Sequence, residues 1–188
     1  MLTTTIGAWL KPGQVPVQDW FAREEGTDTA EPTRGYAETL REYGDRLTPI
    51  LDEATPEVVR EQDALGIDIS TDGEIRRENY IHYHCRHLRG IDFRTLSEKQ
   101  MRGHSTAQLP TVAPRIEADP EPFLVRDWEV AQSATRKPVK MTLPGPMVIG
   151  DSVVDAFYEE DARRRGGDLA DALNVEIRRL ADAGCAWI

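Results

Sequence analysis

The sequence predicts an α/β fold, and more narrowly the N-terminal half of a (β/α)8 TIM barrel. Short β-branched, apolar segments alternate with longer segments of helical periodicity, in the order strand, helix, strand, helix, strand, helix, strand. Every connection between two strands is long enough for a right-handed crossover, which favours a parallel sheet. A complete barrel needs eight strands in about 250 residues, whereas this chain has 188 residues and four predicted strands.

The N-terminal region is predicted to contain a strand, a long loop and a helix. Residues 3–9 (TTTIGAW) are β-branched and apolar, as in strands. Residues 11–34 are rich in Pro, Gly, Asp and Thr, and a loop of this length is typical of a lid or a binding loop. Apolar residues at near-helical spacing predict a helix over residues 35–51.

A second helix and a second strand form the next unit. Thr55 is placed to cap the helix, and Pro56 suits its first turn because a missing N–H costs nothing there. Gly66 is expected to end the helix, and residues 67–71 (IDIST) follow as the second strand. Residues 79–88 (NYIHYHCRHL) then predict another helix.

The central region combines an insertion with a third unit. Residues 91–117 are broken by glycine and proline, which indicates an excursion with a hairpin. A helix is predicted over residues 123–135, and the third strand over residues 139–143 (VKMTL). Residues 153–160 are expected to form one or two helical turns.

The C-terminal helix has the clearest pattern in the chain. An apolar stripe runs along residues 168–183 and consists of Leu169, Leu173, Ile177 and Leu180. Gly184 suits the C-cap, and residues 185–188 (CAWI) begin a fourth strand. A strand that stops so early predicts that the natural polypeptide continues. We therefore expect a single barrel domain over residues 1–188 that is incomplete at its C-terminus.

Composition and charge narrow the classes of partner. The formal net charge is -10 and the pI about 4.9, so nucleic acid and anionic lipid surfaces should be repelled. The sequence has no apolar run near the roughly 20 residues that span a bilayer, and no signal-peptide pattern. Cys85 and Cys185 form no disulfide framework. We expect a cytoplasmic protein that acts on small molecules, with homo-oligomer formation left open.

Candidate site residues follow the strands, because barrel active sites lie at the C-terminal ends of strands. Gly7 either permits close approach of a ligand or accommodates a bend. Asp72 and Glu74 flank a glycine, and such carboxylates bind amines or act as general acids and bases. Asp-Gly is also common in plain polar turns, so both interpretations stay open. Residues 144–146 form a stiff turn after the third strand.

Three histidines and a cysteine lie close together in the helix predicted over residues 79–88. On a helix, His84 and His87 share one face, and His82 and Cys85 share another. Neither pair provides the three or four ligands of a zinc site, which favours structural roles over metal binding. Cys185 begins a strand and is expected to be a small buried residue. The sequence alone assigns no catalytic residue.

Four segments resemble, in order and spacing, the catalytic domain of cobalamin-independent methionine synthase and its shorter single-barrel relatives in bacteria and archaea. They are TTTIGAW, IDISTDGEIRRENYI, KPVKMTLPGPMVIGDS and LADALNVEIRRLADAGCAWI. The resemblance implies a barrel of the methionine synthase and uroporphyrinogen decarboxylase type. It also implies that zinc activates the thiol of homocysteine, which attacks the methyl group of a folate-type or other donor.

The resemblance also implies roles for individual residues. Ile6 and Gly7 match the family segment Ile-Gly-Ser, which holds the amino-acid portion of homocysteine, although Ala8 replaces the serine. Glu74 matches the family glutamate that binds the homocysteine amino group, and Asp72 lies in the same loop. We therefore expect these residues, apart from Ala8, to bind the substrate.

The resemblance to the family is less complete at the methyl-donor site and at the zinc ligands. The segment from residue 143 to residue 146 matches a family loop beside the methyl donor, and the predicted donor-site residues are Pro144, Gly145 and Asp151. The tryptophan on which the family stacks folate is missing from residues 149–152, which leaves the donor open. The zinc ligands of the family lie in the second half of the barrel. Zinc is therefore predicted with its ligands beyond residue 188 and none within this chain.

Three functions stay open from the sequence. The first is methyl transfer to homocysteine, and the second is alkyl transfer to another thiol on the same scaffold. The third is a non-catalytic half-barrel that needs a partner chain to cover its parallel edge. A decarboxylase of the uroporphyrinogen family is more distant, because only Arg76 and Arg77 are placed to bind an anionic substrate.

Overall fold

A computed structural model of the protein describes residues 1–18, 30–100 and 106–188. The helices in these ranges are α1 (Ala30–Tyr43), α2 (Leu47–Ala64), α3 (Tyr80–Arg86), α4 (Leu124–Gln132), α5 (Pro146–Asp151) and α6 (Ala162–Ala183). The strands are β1 (Ser70–Thr71), β2 (Leu88–Gln100), β3 (Thr106–Ala118), β4 (Val139–Lys140) and β5 (Val154–Asp155). None of the helices described is both long and apolar enough to cross a membrane.

Four chain segments lie side by side and run parallel. In the centre β1 pairs with β4. Single bridges join the N-terminal segment to residues 69 and 73 on one side, and Trp187 to Lys140 on the other. The predicted α/β class and the parallel order of these segments are confirmed. Regular pairing is shorter than predicted, because residues 3–9 and 185–188 make bridges instead of continuous ladders.

The N-terminal helices differ from the prediction. Helix α1 starts at Ala30, so the predicted loop over residues 11–34 is wrong in its last part, and residues 19–29 of the suggested lid lie outside the described residues. The helix predicted over residues 35–51 is two helices. Gly44 separates them, because it adopts a positive φ of 48° and begins a short 3-10 helix.

Helix α2 contradicts the start predicted at Thr55. The helix runs from Leu47 through Pro56, and Thr55 Oγ1 donates a hydrogen bond to the Leu51 carbonyl (2.8 Å) instead of capping. Proline inside a helix costs about 3 kcal/mol. Burial of one face of α2 offsets that cost, since the buried apolar residues are Leu47, Leu51, Ala54, Val58 and Val59. Gly66 is left-handed just after the helix (φ 83°), which agrees with its predicted role.

The insertion predicted over residues 91–117 is a long antiparallel hairpin of β2 and β3. Strand β3 also pairs in parallel with β5, so the helical turns predicted over residues 153–160 are wrong. Asp155 explains the difference, because its carboxylate accepts hydrogen bonds from the N–H groups of Phe157, Tyr158 and Glu160 and fixes a non-helical turn.

Helix α6 begins at Ala162, earlier than predicted. The carboxylate of Asp161 caps this end by accepting hydrogen bonds from the N–H groups of Arg163 and Arg164 (3.1 and 3.0 Å). The helix continues through two glycines to Ala183, and the left-handed Gly184 (φ 104°) caps it as predicted. In the predicted apolar stripe Leu169, Leu173 and Leu180 are buried, and Ile177 is half-buried.

One face of β4 packs against the helices. Val139 and Met141 belong to a buried cluster that includes Trp128 of α4 and Leu180 of α6. Neighbouring residues of an extended segment point to opposite faces. Thr142 therefore lies on the face of the sheet opposite this core, at the end of the segment.

Candidate functional site at the strand ends

Polar groups converge at the C-terminal ends of the parallel segments. Gly7 belongs to the N-terminal segment, Asp72 and Glu74 follow β1, and Thr142 follows β4. Together with Arg77, these residues form what we call the strand-end cluster. Asp72 and Glu74 are buried, and the Arg77 side chain is fully buried. The structure thus brings together three of the sequence-predicted substrate-binding residues.

Gly7 and Glu74 lie in direct contact. A Cβ atom at position 7 would stand 2.4 Å from Glu74 Oε1 and 3.3 Å from Thr142 Oγ1. The carbonyl of Gly7 accepts a hydrogen bond from Thr71 Oγ1 at 2.6 Å, which holds the backbone in place. Position 7 therefore accepts only glycine while Glu74 keeps this orientation.

Arg77 links the two carboxylates to the end of β4. Its Nη2 lies 3.1 Å from Asp72 Oδ2, and its Nη1 lies 3.5 Å from Glu74 Oε1. Nη1 also donates to the carbonyl and the hydroxyl of Thr142, both at 2.9 Å. A buried charge is tolerated only when charge partners and hydrogen bonds surround it in this way. Arg77 therefore fixes the relative positions of the cluster residues.

Glu74 has a backbone conformation that non-glycine residues rarely adopt, with φ at 55°. Its N–H donates to Asp72 Oδ1 (3.2 Å), and its carbonyl accepts from Lys11 Nζ (2.7 Å) and from the Arg77 N–H (3.0 Å). On the side chain, Oε1 accepts from the Thr142 hydroxyl (3.0 Å) and from Arg77. Among the described residues, none donates to Oε2, so this oxygen has capacity for a ligand.

Burial raises the pKa of the Glu74 carboxyl above its ordinary value. The charge of Arg77 lowers that pKa, Asp72 raises it, and the Thr142 hydrogen bond and Lys11 lower it. For Arg77, burial alone would lower the pKa, but the negative groups around it, Asp72 and Glu74 foremost, raise it above its ordinary value. The protonation of Glu74 is therefore sensitive to each of its four neighbours.

A second buried network joins the loop after β1 to two helices. Arg76 pairs with Asp52 of α2, and its Nε lies 3.0 Å from Asp127 Oδ1 of α4. Tyr83 Oη donates to Asp127 Oδ2 at 2.7 Å. Burial raises the pKa of Asp127 to about 6, although Arg76 and the Tyr83 hydrogen bond lower it. The network anchors the chain next to the strand-end cluster.

The histidines of α3 pack inside the protein. His84 Nδ1 lies 2.6 Å from the Tyr80 carbonyl, and His87 stacks on Phe123 with ring centroids 4.3 Å apart. Burial lowers the pKa of His82 to about 4 and holds the pKa of His84 well below its ordinary value, so both rings are neutral at pH 7.

Both cysteines are buried, and burial of Cys185 was predicted. Burial raises the pKa of the Cys85 thiol, which suppresses its reactivity. Within residues 1–18, 30–100 and 106–188, the His, Cys, Asp and Glu side chains form no group of three or more that could hold a metal ion.

The remaining predicted site residues lie around the cluster. Ile6 is 96% exposed, so its side chain is not packed against the cluster. Pro144 is buried, and Gly145 precedes α5 as its N-cap residue. Asp151 ends α5, and its carbonyl accepts from Lys99 Nζ of the hairpin at 2.8 Å. The predicted donor loop stays non-helical through Gly145, and a short helix that the sequence did not predict follows it.

Sequence reasoning missed two members of this site. Thr142 comes directly after β4, and the strand-end rule that selected Asp72 and Glu74 also applies to it. Lys11 was assigned only to the long loop, and its contacts with residues 74–77 join chain positions more than sixty residues apart. Arg77 was considered only for the decarboxylase alternative. The short spacing from Glu74 to Arg77 was the available signal.

The fold and the cluster define a class, namely α/β proteins with carboxylates at the C-terminal ends of parallel strands. A family model described as the catalytic domain of cobalamin-independent synthases matches residues 1–188. The chain belongs to this family.

Three relatives illustrate the membership. The 5-methyltetrahydropteroyltriglutamate–homocysteine methyltransferase of Bradyrhizobium diazoefficiens is 32% identical over 99% of this chain and 22% of its own length. The methionine synthase of Sulfurisphaera tokodaii is 27% identical over 76% of this chain and 41% of its own. The structure of a B12-independent methionine synthase from a Shewanella species, in complex with selenomethionine, superposes with a TM-score of 0.77 at 26% identity. That match covers 97% of this chain and 48% of the other. This chain therefore spans less than half the length of each relative.

Proposed function

We propose that this chain forms the acceptor-binding half of a (β/α)8 barrel enzyme that transfers a methyl group to the thiol of homocysteine. The observation that carries the proposal is the Glu74 carboxylate, which is held against Gly7 at the strand ends and whose Oε2 accepts no hydrogen bond from the described residues. Membership of the cobalamin-independent synthase family supports it. The selenomethionine complex of the Shewanella relative supports an amino acid as the ligand.

In this proposal Glu74 binds the ammonium group of the acceptor. The ammonium group donates a hydrogen bond to Oε2, and a charge-assisted bond of this kind is about twice as strong as a neutral one. Asp72 adds negative charge nearby while it stays paired with Arg77. The backbone at Ile6 and Gly7 then positions the acceptor carboxylate. These residues bind and orient the acceptor, and no proton transfer is assigned to them.

Zinc stays a prediction from the family resemblance. The described residues offer no three-ligand cluster of His, Cys, Asp and Glu for the metal, so they do not fit a zinc site by themselves.

The methyl donor is proposed to approach from the side of α5, where Pro144, Gly145 and Asp151 lie. Residues 149–152 contain no tryptophan, and Ile149 at the start of this stretch is fully buried. No tryptophan of this stretch can stack on a folate ring. A donor other than folate is therefore as compatible with these residues as folate is.

One observation favours transfer to a different thiol as the second candidate. Ala8 forms a bridge with Gly73 beside the cluster and offers no hydroxyl, whereas the family motif has serine there. An acceptor that lacks the amino-acid portion would need neither that hydroxyl nor Glu74. Binding of 2-mercaptoethanesulfonate in place of homocysteine would favour this candidate.

Calorimetric titration of the intact gene product with homocysteine and with methionine tests the proposal. We expect both to bind, and Glu74→Gln to weaken binding at least tenfold because it removes the charge partner of the ammonium group. Glu57→Gln is the matched control, since Glu57 is exposed and hydrogen-bonded only to Gln14 in the described chain. Absence of binding to the unmodified protein, or equal affinities of the Glu74 and Glu57 variants, would overturn the proposal.

A further inference from the structure

We propose that Lys11 is a positioning residue that holds the turn of residues 74–77, so that the Glu74 carboxylate faces the amino group of the acceptor. The inference rests on the proposed function and adds to it a residue outside the family motif. Lys11 follows the N-terminal parallel segment and reaches the turn after β1, more than sixty positions along the chain.

The geometry of Lys11 is that of a clamp. Its Nζ donates to the carbonyls of Glu74 (2.7 Å), Ile75 (3.2 Å) and Arg77 (3.1 Å). All three acceptors are backbone carbonyls of the turn of residues 74–77. Glu74, the first residue of this turn, is left-handed. Carbonyl dipoles that point at one place repel one another unless a cation lies between them. Removing the cation should therefore release Glu74 toward an ordinary backbone conformation.

The side chain of Glu74 depends on that conformation. From this backbone direction the carboxylate reaches the space between Gly7 and Thr142 and accepts the Thr142 hydrogen bond. Lys11 also adds positive charge close to the carboxylate and lowers its pKa, together with Arg77 and Thr142 and against Asp72. A neutral residue at position 11 should therefore disturb both the direction and the ionisation of Glu74.

Calorimetric titration with methionine between pH 5 and pH 9 tests the inference on the intact gene product. For Lys11→Met we expect about tenfold weaker binding at pH 8. Methionine affinity should fall at low pH as Glu74 becomes protonated, and we call this fall the acidic limb of the affinity profile. We expect the acidic limb to move to higher pH in Lys11→Met, because the pKa of Glu74 rises when a neighbouring cation is removed. Lys11→Arg keeps the charge and should keep the limb in place.

The matched control is Lys137→Met. Lys137 also donates to a backbone carbonyl, that of Ile67 (2.8 Å), but it lies at the opposite ends of the strands. Its removal should leave methionine affinity unchanged. If Lys11→Met does not fold, Lys11→Gln replaces it, and the same upward shift of the acidic limb is expected.

The outcomes separate the two proposals. If the unmodified protein binds neither methionine nor homocysteine, the proposed function fails and the role of Lys11 fails with it. The other outcome is that the unmodified protein binds methionine and the neutral Lys11 variants have the same affinity and the same acidic limb as the unmodified protein. In that case only the role of Lys11 is refuted.

Discussion

The backbone of Gly7 lies so close to the Glu74 carboxylate that a single added methyl group would stand 2.4 Å from Oε1. The two residues are distant in sequence, and the pairing of Ala8 with Gly73 brings them together. Replacing Gly7 with alanine, which adds a single methyl group, therefore tests the site directly.

Gly7→Ala should weaken methionine binding while the fold persists, because the carboxylate can escape the new Cβ by turning away. Gly13→Ala provides the control in the same N-terminal region, since a Cβ there meets nothing within 4 Å. By calorimetry we expect at least tenfold weaker binding for Gly7→Ala and unchanged affinity for Gly13→Ala. Unchanged affinity of Gly7→Ala would contradict the contact.

Thr142→Val removes a hydroxyl that donates to Glu74 and accepts from Arg77, at nearly constant volume. We expect about tenfold weaker methionine binding. The acidic limb of the affinity profile should also move to higher pH, since the lost hydrogen bond lowers the pKa of Glu74. Thr142→Ser keeps the hydroxyl and should bind nearly as well as the unmodified protein. Equal weakening in both variants would point to lost packing instead.

Asp127 should make the folded state less stable as the pH rises. Burial raises its pKa from 3.8 to about 6, so between these values the folded protein holds more protons than the unfolded chain. Its stabilising contribution is complete below about pH 4 and is lost as the pH passes 6. In Asp127→Asn this loss should disappear, which urea unfolding at pH 4, 5, 6 and 7 measures. Asp45→Asn, on the exposed surface, should keep the original slope, and parallel slopes for all three proteins would refute the assignment.

Two glycines should respond to alanine in opposite directions. Gly167 lies within α6 with no atom near an added Cβ, so Gly167→Ala should raise the free energy of unfolding by about 0.5–1 kcal/mol. Gly90 has φ at 96°, and a Cβ there would stand 2.5 Å from the Arg115 carbonyl oxygen. Gly90→Ala should lower the free energy by about 2 kcal/mol. Denaturant unfolding checks both, and effects of the same sign would contradict the described backbone.

The parts of the fold that could be predicted are those decided by local sequence. The apolar stripe of α6, the left-handed glycines at 66 and 184, and the hairpin insertion all have local signals. The continuation of α2 through Pro56 has no local signal, because it depends on burial of the helix face, which outweighs the local preference for a break at proline. The turn after β5 likewise depends on the single carboxylate of Asp155.

The site divides in the same way. Gly7, Asp72 and Glu74 could be selected because each follows a predicted strand, and parallel strands end at a common edge. Lys11 and Thr142 contact Glu74 across more than sixty positions, and the left-handed conformation of Glu74 has no sequence signature. Such contacts become visible only when the register of the segments is known.

The parallel pairing has a consequence for the order of folding. The hairpin of β2 and β3 and the helices form from residues close in sequence, whereas β1 and β4 pair across nearly seventy positions. Closing long loops slows folding, so these local elements should form before the sheet. The strand-end cluster exists only once the sheet has closed. During refolding, recovery of ligand binding should therefore lag behind recovery of helical circular dichroism.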